Sequence, residues 1–498
     1  MNTSQKTRPK VIIIGAGLAG LSTAFQLFQL SRGLFDIEIL EARNRVGGRV
    51  ETLRKPFSYK LFAEAGAFWI SDKHALTLYY CRKFGLNNIK EILKENQELQ
   101  YISQDFQFKC PAVVREDGQP LPLGSRTKKP SPWPNLRMDE SQVGLYAFLS
   151  RYLCSYRALL DAGDPNWPYP QISIDVEKLD KMNFLEFLKN TGASDGAIDL
   201  MRPWFAWWDN LEKLSALSIL RDGAVTRQLC DEGHPRWYTL SDGMSQLPEA
   251  FQHQLKNIVK ITFNAPVVKI TQNGNAVTVT HGNAEKQLSG DYLVCAIPFS
   301  TLRYIENLPF SPNKLQTIHQ LRYSTVARVY LQCRKRVWKK GKFNGVVFTD
   351  IRKNSQEGIG SCGMNLLDMT LAQNSENGIL QAYMVGDLGR EVTAMKEVDR
   401  IRFFANKIKP FYPGIEKEVD WGHCTSKCWD NDEWARGAYH MFEPGQMMTL
   451  IPHITNTEGH VFFAGDHTSG RPGWMEGALQ SGHRVAKEIL KMHFQKAN

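Results

Sequence analysis

The sequence feature that most constrains the fold is a glycine-rich turn at residues 15–20, GAGLAG. The apolar run 11–14 before it predicts a buried strand, and the apolar spacing of residues 21–30 after it predicts a helix. A second strand is predicted at 37–40. A strand, a turn, a helix and a second strand in this order predict a βαβ unit, and therefore a parallel sheet.

The same turn is a candidate phosphate-binding site. Its glycines allow the backbone to approach a ligand closely, and the N-terminus of the following helix presents free N–H groups to a pyrophosphate. Glu41 ends the second strand 21 residues after Gly20, where a carboxylate is expected to hold the ribose hydroxyls of an adenosine. We therefore predict a dinucleotide site that includes Gly15, Gly17, Ala19, Gly20 and Glu41.

The residues that follow Glu41 favour a flavin over a nicotinamide cofactor. Residues 41–49, EARNRVGGR, resemble the E-A-R-x-R-x-G-G-R segment of the flavin-containing amine oxidase family. Three later segments extend the resemblance, namely 265–268 (APVV), 463–466 (FAGD) and 471–478 (RPGWMEGA). The resemblance implies FAD as the cofactor, bound in addition by Ala42, Arg43, Gly48, Arg49, Gly66, Ala67, Val267, Gly465, Asp466, Trp474 and Met475.

The resemblance also implies a fold class and a domain organisation. It implies an α/β protein with a Rossmann-like FAD-binding domain and an interleaved α+β substrate-binding domain, with the active site between them. We expect the FAD-binding domain to comprise 1–72, 241–309 and 435–498, and the substrate-binding domain to comprise 73–240 and 310–434.

Two segments outside these motifs carry weaker predictions. The proline-rich stretch 118–135 predicts a long loop, either at the entrance of the active site or on the surface. Helices are predicted at 181–190 and 196–221. The second carries Trp204, Trp207 and Trp208, which indicate either core packing or an apolar substrate cavity.

Composition fits a folded globular chain. Of the 498 residues, 42% are apolar and 22% charged, which excludes a disordered chain or a collagen. The formal charge of +10 comes from scattered basic residues, so we predict a solvated basic surface and no nucleic-acid partner. The nine cysteines are widely spread without zinc-site spacing, which predicts reduced thiols and no metal site.

The chain shows no targeting or membrane signal. No apolar run reaches the about 18 residues of a membrane span, and residues 1–10 lack the apolar region of a signal peptide. We therefore expect a cytoplasmic protein without a transmembrane segment. The sequence leaves open whether the protein forms a homodimer.

The family resemblance implies a chemistry. Its members oxidise a carbon–nitrogen bond by passing a hydride to flavin N5, and dioxygen reoxidises the flavin. Tyr439 and Trp474 match the two aromatic side chains that sandwich the amine in this family. Ala438 stands where covalent members have a cysteine, which predicts non-covalent FAD.

Two departures from the family pattern bear on the substrate. Trp69, three residues after Gly66, stands where the L-amino acid oxidases of snake venoms carry an arginine for the substrate carboxylate. Arg328, ten residues before Trp338, stands where most members carry a lysine. Arginine keeps its proton at working pH and presents a planar fork of donors.

Glu64 together with Arg328 resembles the lankacidin-type amide oxidase and macrocyclase branch of the family. Those enzymes of secondary metabolism oxidise an amide-linked C–N bond in a polyketide chain, and a Mannich-type ring closure follows. On this interpretation Arg328 polarises a substrate carbonyl, and Glu64 acts as a base or as the partner of Arg328. A structural role for Glu64 stays open.

The sequence thus leaves four interpretations. The first is amide oxidation with ring closure, on a large apolar substrate. The second is a conventional amine or polyamine oxidase that releases an aldehyde and hydrogen peroxide. The third is an L-amino acid oxidase, which Trp69 makes less favoured unless another arginine binds the carboxylate. The fourth is a flavin-binding interaction scaffold without catalysis.

Overall fold

The computed structural model describes residues 8–93, 98–102, 107–111, 135–141, 152, 174–205, 209–221, 236–282, 285–339, 343–349 and 363–495. The predicted loop at 118–135, apart from its last residue, lies outside these ranges, as do the side chains of Trp204, Trp207 and Trp208.

The described chain alternates strands and helices, as an α/β protein does. Its strands are β1 (Lys10–Ile14), β2 (Asp36–Leu40), β3 (Thr52–Leu53), β4 (Ala63–Glu64), β5 (Ile70–Ser71), β6 (Ile89–Leu93), β7 (Glu98–Ile102), β8 (Gln107–Pro111), β9 (Trp237–Leu240), β10 (Lys260–Thr262), β11 (Val267–Asn273), β12 (Ala276–His281), β13 (Lys286–Gly290), β14 (Tyr292–Cys295), β15 (Arg322–Tyr323), β16 (Val326–Cys333), β17 (Phe343–Thr349), β18 (Asn365–Asp368), β19 (Gly378–Val385), β20 (Thr425–Cys428), β21 (His440–Met441) and β22 (Val461–Phe463).

The helices vary from one turn to almost six turns. They are α1 (Leu18–Ser31), α2 (Ala75–Lys83), α3 (Met138–Ser141), α4 (Ile174–Lys181), α5 (Phe184–Asn190), α6 (Asp195–Phe205), α7 (Gln246–Leu255), α8 (Phe299–Leu302), α9 (Pro312–Gln320), α10 (Gly386–Ala394), α11 (Glu397–Ile408), α12 (Ile415–Glu418), α13 (Gln446–Ile454) and α14 (Met475–Gln495). A further helical segment covers 216–221.

A five-stranded parallel sheet carries the predicted βαβ unit. Its strand order is β10-β2-β1-β14-β22, and β1 pairs with β2 on one side and β14 on the other. Val11 and Ile13 pack in one hydrophobic core with α1 and α14, whereas Ile12 and Ile14 pack in another. Burial on both faces explains why this strand is a continuous apolar run. The predicted parallel sheet and α/β fold class are confirmed.

Helices α1 and α14 cross closely on one face of this sheet. A Cβ atom added at Gly482 would lie 2.0 Å from the Ser22 hydroxyl oxygen and 2.7 Å from the Ala19 carbonyl oxygen. Glycine at this position therefore allows the two helices to approach each other. The C-terminal helix in this way supports the helix that follows the glycine-rich turn.

The structure contains a second large sheet of seven strands. Its strand order is β20-β16-β19-β18-β17-β7-β8. Its strand β16 is buried along its whole length and pairs with β19 and β20. All seven strands fall within 73–240 and 310–434, whereas the five parallel strands fall within 1–72, 241–309 and 435–498. The boundaries of the two domains stay a prediction.

The predicted helix at 196–221 is interrupted. Helix α6 ends at Phe205, and a 3-10 turn at Leu211–Lys213 precedes the helical segment 216–221. The buried Asp209 carboxylate accepts hydrogen bonds from Asn210 N (2.7 Å) and Arg322 Nη2 (2.6 Å). These bonds stabilise a turn at this position in competition with the helix.

The predicted helix at 181–190 also begins later than expected. Helix α5 begins at Phe184, because the Asn183 side chain accepts a hydrogen bond from Glu186 N (2.9 Å) in a capping box.

No helix in the described ranges is long and apolar enough to cross a membrane.

Candidate active site

The glycine-rich turn lies at one end of a cavity of about 450 Å³. Gly15 has φ +101°, and a Cβ there would lie 2.9 Å from Ile297 Cγ2. A Cβ at Gly20 would lie 2.0 Å from Gly15 O, so this glycine closes the turn onto α1 and does not line the cavity. A Cβ at Gly17 would meet nothing within 4 Å, because this residue faces the open cavity.

Glu41 is held beside this turn by two backbone N–H groups. Its carboxylate accepts hydrogen bonds from Ala16 N (2.7 Å) and Arg43 N (2.9 Å). Gly48, in the second glycine turn, approaches the first turn so closely that a Cβ on it would lie 3.5 Å from Gly17 Cα. The two turns and the Glu41 carboxylate therefore form one cradle at this end of the cavity.

Arg49 and Asp466 form a partly buried ion pair further along the cavity. Arg49 donates hydrogen bonds to the Asp466 carboxylate and to Ala438 O, and Gly473 N donates to Asp466 (2.9 Å). Burial raises the pKa of Asp466, but Arg49, His467, His440 and the hydrogen bond from Gly473 N together outweigh it and hold that pKa below its usual range. The pair thus connects the cradle to the turn that carries Trp474.

The two predicted cage residues, Tyr439 and Trp474, line the same cavity. The Tyr439 hydroxyl lies 3.2 Å from the Tyr383 hydroxyl. The Trp474 ring stacks on Trp237, with ring centroids 5.7 Å apart, and the edge of His74 packs against it at 4.8 Å. Both aromatic walls are therefore held by neighbouring side chains before a substrate binds.

Arg328 lines the cavity from strand β16 and is 5% exposed. Its Nη1 atom donates to Glu64 O (3.1 Å) and Gly66 O (2.7 Å). The rings of Phe68 and Tyr383 lie 5.0 and 4.8 Å from its Cζ, and Tyr383 is its cross-strand neighbour on β19. Among the described residues, its buried Nε atom has no hydrogen-bond partner.

The hydrogen bonds of the Glu64 carboxylate come from groups other than Arg328. It accepts hydrogen bonds from Met244 N (2.9 Å) and from the hydroxyl of Thr52, its cross-strand neighbour (3.0 and 3.1 Å). Glu64 is not among the described residues that line the cavity. Burial raises the pKa of Glu64 to about 8. These hydrogen bonds favour a structural role for the carboxyl, although the positive charge of Arg328 acts to lower its pKa. Its action on the substrate or on Arg328 stays a prediction.

The remaining residues predicted to bind the cofactor also line the cavity, apart from Gly20. They are Gly15, Ala19, Ala42, Arg43, Arg49, Gly66, Ala67, Val267, Gly465, Asp466 and Met475.

A family model described as flavin containing amine oxidoreductase matches residues 18–490. The chain belongs to this family. It is 29% identical to YobN of Bacillus subtilis (strain 168), over 98% of this chain and 96% of YobN. It is 26% identical to the L-amino-acid oxidase of Vipera ammodytes ammodytes, over 98% of this chain and 94% of that protein.

The fold also agrees with that of a solved amine oxidase. Cyclohexylamine oxidase from Brevibacterium oxydans IH-35A superimposes with a TM-score of 0.77 at 20% identity, over 97% of this chain and 99% of that chain. The protein is thus an FAD-dependent oxidoreductase of the flavin amine oxidase family. Enzymes of this family oxidise the C–N bond of small amine substrates, with oxygen as the electron acceptor.

The cavity fits the FAD of this family. Gly17 and Gly48 keep side chains out of the cradle, so the backbone can approach a pyrophosphate. Arg49 supplies positive charge, and the N-terminus of α1 opens onto the same space. Ala438 offers only a methyl group where covalent members carry a thiol, which is consistent with non-covalent FAD.

Several cavity residues were not identified from the sequence. They include a second buried arginine, Arg221, at the end of the segment 216–221, and the aromatic residues Phe68, Trp237 and Tyr383. Trp237 and Tyr383 lie on strands far from any recognised motif, so only tertiary pairing brings them to the site. In the described residues no cluster of three or more His, Cys, Asp and Glu side chains could hold a metal ion.

Proposed function

We propose that this flavin amine oxidase oxidises an α-amino acid, and that Arg328 binds the substrate carboxylate. The observation that carries the proposal is a buried arginine that lines the cavity and whose Nε atom has no hydrogen-bond partner among the described residues. Trp69 replaces the arginine expected for this task, and Arg328 offers the same chemistry from β16.

The guanidinium of Arg328 is oriented for a bidentate contact. Its Nη1 atom is fixed by the carbonyl oxygens of Glu64 and Gly66, and the rings of Phe68 and Tyr383 restrict its plane. Nε and Nη2 lie on one edge of the guanidinium, and this edge can donate two parallel hydrogen bonds to a carboxylate. An amine without an acidic group leaves this edge unused.

The charges of the cavity support an anionic substrate group. Of the described residues that line it, the carboxylates are Glu41 and Asp466, and both are hydrogen bonded within the cofactor part. Arg221 and Arg328 are the arginines that line it outside the cofactor motifs. A polyamine would face positive charge there, whereas the L-amino-acid oxidase found among the relatives acts on a substrate with a carboxylate.

The residues of the site then have separate roles. When bound, FAD supplies the hydride acceptor. Tyr439 and Trp474 flank the amine and exclude water, and Arg328 holds the carboxylate so that the α-carbon faces the cofactor. Because a guanidinium presents hydrogen-bond donors and no acceptor, Arg328 orients the substrate without acting as a base.

Anaerobic mixing tests this proposal by following the loss of the visible flavin absorbance. L-Phenylalanine is compared with phenethylamine, which lacks only the carboxylate, and with putrescine. We expect rapid bleaching by L-phenylalanine only. Arg328→Lys keeps the charge but loses the planar edge, so kcat/KM for the amino acid should fall about 100-fold. Rapid bleaching by phenethylamine or putrescine, with none by amino acids, would overturn the proposal.

Amide oxidation followed by ring closure is a second candidate. It is favoured by Trp69, which removes the usual carboxylate arginine, and by Arg328, whose Nη2 also suits an amide carbonyl. The same experiment separates the two. A protein that ignores amino acids but is bleached by an N-acylated amine would support this candidate over the first.

A further inference from the structure

Two buried histidines, His440 and His467, line the cavity outside the amine cage. Each is 3% exposed, and their ring centroids lie 6.5 Å apart. Among the described residues, both ring nitrogens of His467 and the Nδ1 atom of His440 have no hydrogen-bond partner. Buried polar groups are normally hydrogen bonded, so these nitrogens, close together in one cavity, indicate a ligand with polar groups at this position.

Apolar packing fixes both rings without using their nitrogen atoms. Gly465 has φ +140°, and a Cβ there would lie 2.4 Å from His467 Cε1, so this glycine allows the ring to fold back over the chain. Phe299 packs edge-on against the same ring, with centroids 4.5 Å apart. His440 lies on β21 and packs edge-on against Phe442 at 5.0 Å. The nitrogens therefore stay available to a ligand.

The two histidines lie between the ends of the cofactor site. His467 directly follows Asp466, which connects the cradle to the turn that carries Trp474, and His440 directly follows Tyr439. In FAD a ribityl chain, which carries hydroxyl groups, joins the pyrophosphate to the flavin ring. With the pyrophosphate at the cradle and the flavin ring at the amine cage, this chain passes Asp466 and the two histidines.

The protonation state of the rings decides which part of the cofactor they suit. Burial lowers the pKa of His440 to about 4 and that of His467 to about 3, so both rings are neutral near pH 7. A neutral imidazole has one N–H donor and one acceptor nitrogen, and a hydroxyl group also both donates and accepts. A phosphate offers acceptor oxygens. The pair therefore matches hydroxyl groups better than phosphate groups.

We propose that His440 and His467 bind the ribityl hydroxyl groups of FAD through their ring nitrogens and so hold the flavin ring at the amine cage. This inference concerns the cofactor and does not depend on which substrate the enzyme oxidises. Neither histidine is among the residues that the sequence predicts to bind FAD. Loss of one hydrogen bond between neutral groups weakens binding by about three- to tenfold.

The test uses the FAD-loaded protein and FAD analogues that lack the 2′-, 3′- or 4′-hydroxyl of the ribityl chain. Each analogue is mixed in excess with the holoenzyme until exchange is complete, and the bound FAD and analogue are quantified by chromatography. In the wild type we expect a preference for FAD over at least one analogue of about three- to tenfold. His440→Phe and His467→Phe keep a ring but remove the nitrogens, and each should bring such a preference close to one.

Two further variants complete the experiment. His467→Asn keeps a donor and an acceptor, so it should preserve the wild-type preference. His253→Phe, at an exposed position that is not among the described cavity residues, is the matched control and should also behave as the wild type. Should a Phe variant not fold, the smaller His440→Leu or His467→Leu takes its place.

A wild type that binds FAD and every analogue equally well would show that the inference is wrong. The same conclusion follows if the Phe variants keep the wild-type preferences, even with a lower affinity for FAD, because the histidines would then act on another part of the cofactor. In neither case is the proposed oxidation of an α-amino acid affected, since bleaching by L-phenylalanine tests it separately.

Discussion

Replacing Glu64 with glutamine tests whether its carboxyl is held protonated inside the protein. Burial raises its pKa from 4.5 to about 8, so the native state keeps a proton that the unfolded chain loses above pH 4.5. The retained proton contributes to the free energy of unfolding. This contribution is fully present below pH 4.5 and is lost as the pH rises through 8. At about 1.4 kcal/mol per pH unit, it falls by about 2 kcal/mol between pH 6 and 8.

Glutamine at this position keeps an oxygen acceptor for Met244 N and Thr52 Oγ1 but cannot ionise. Urea unfolding of the FAD-loaded protein at pH 6, 7 and 8 measures the effect. The free energy of unfolding of Glu64→Gln should lose about 2 kcal/mol less over this range than that of the wild type. Glu433→Gln, at an exposed position, should follow the wild type.

Parallel loss of stability in the wild type and Glu64→Gln would refute the reasoning, because the native carboxyl would then be ionised. The same variant tests the catalytic hypothesis for Glu64. A general base contributes about 100- to 10,000-fold to a rate. Since the carboxylate lies outside the cavity lining, we expect kcat to change less than about tenfold.

Three further predictions concern stability and cofactor binding. The Glu476 carboxylate caps the first turn of α2 through Thr77 N (2.9 Å) and Thr77 Oγ1 (2.8 Å), so Glu476→Gln should lower the unfolding free energy by about 1.5–3 kcal/mol in urea. Burial lowers the pKa of Lys314 to about 7, so the contribution of this residue to the free energy of unfolding should rise from pH 7 to 10.5. Lys314→Met should abolish that rise, as thermal unfolding at several pH values would show. A Cβ at Gly66 would lie 1.7 Å from Arg49 O, so Gly66→Ala should weaken FAD binding at least 100-fold in an equilibrium titration, whereas Gly422→Ala, with nothing within 4 Å, should not.

The parts of the site that the sequence predicts are those fixed by local geometry. The turn at 15–20 and Glu41 lie within one βαβ unit, so strand, turn and helix determine their relative positions. The cavity lining includes all the predicted cofactor residues except Gly20. Gly20 lacks a Cβ atom, and this allows the turn to close onto α1.

The parts that the sequence does not predict depend on contacts between distant segments. The direction of the Glu64 carboxylate is set by Met244 N, 180 residues away, and the orientation of Arg328 is set by backbone carbonyl oxygens rather than by a side chain. Trp237 enters the site because β9 pairs with β5 and with β6. No pattern within a short stretch of sequence encodes such contacts.

The order of strands in the parallel sheet has a consequence for biosynthesis. Strand β1 pairs with β2 soon after synthesis, but its other neighbour, β14, and the outer strand β22 come from residues 292–295 and 461–463. At about 5–20 residues per second, a ribosome needs tens of seconds to complete this sheet. During that time the apolar β1 lacks one of its two neighbouring strands, and the cavity lacks Asp466. We therefore expect FAD to bind only a nearly complete polypeptide, and a chain that ends before Met475 to lack the cofactor as well as the last helix.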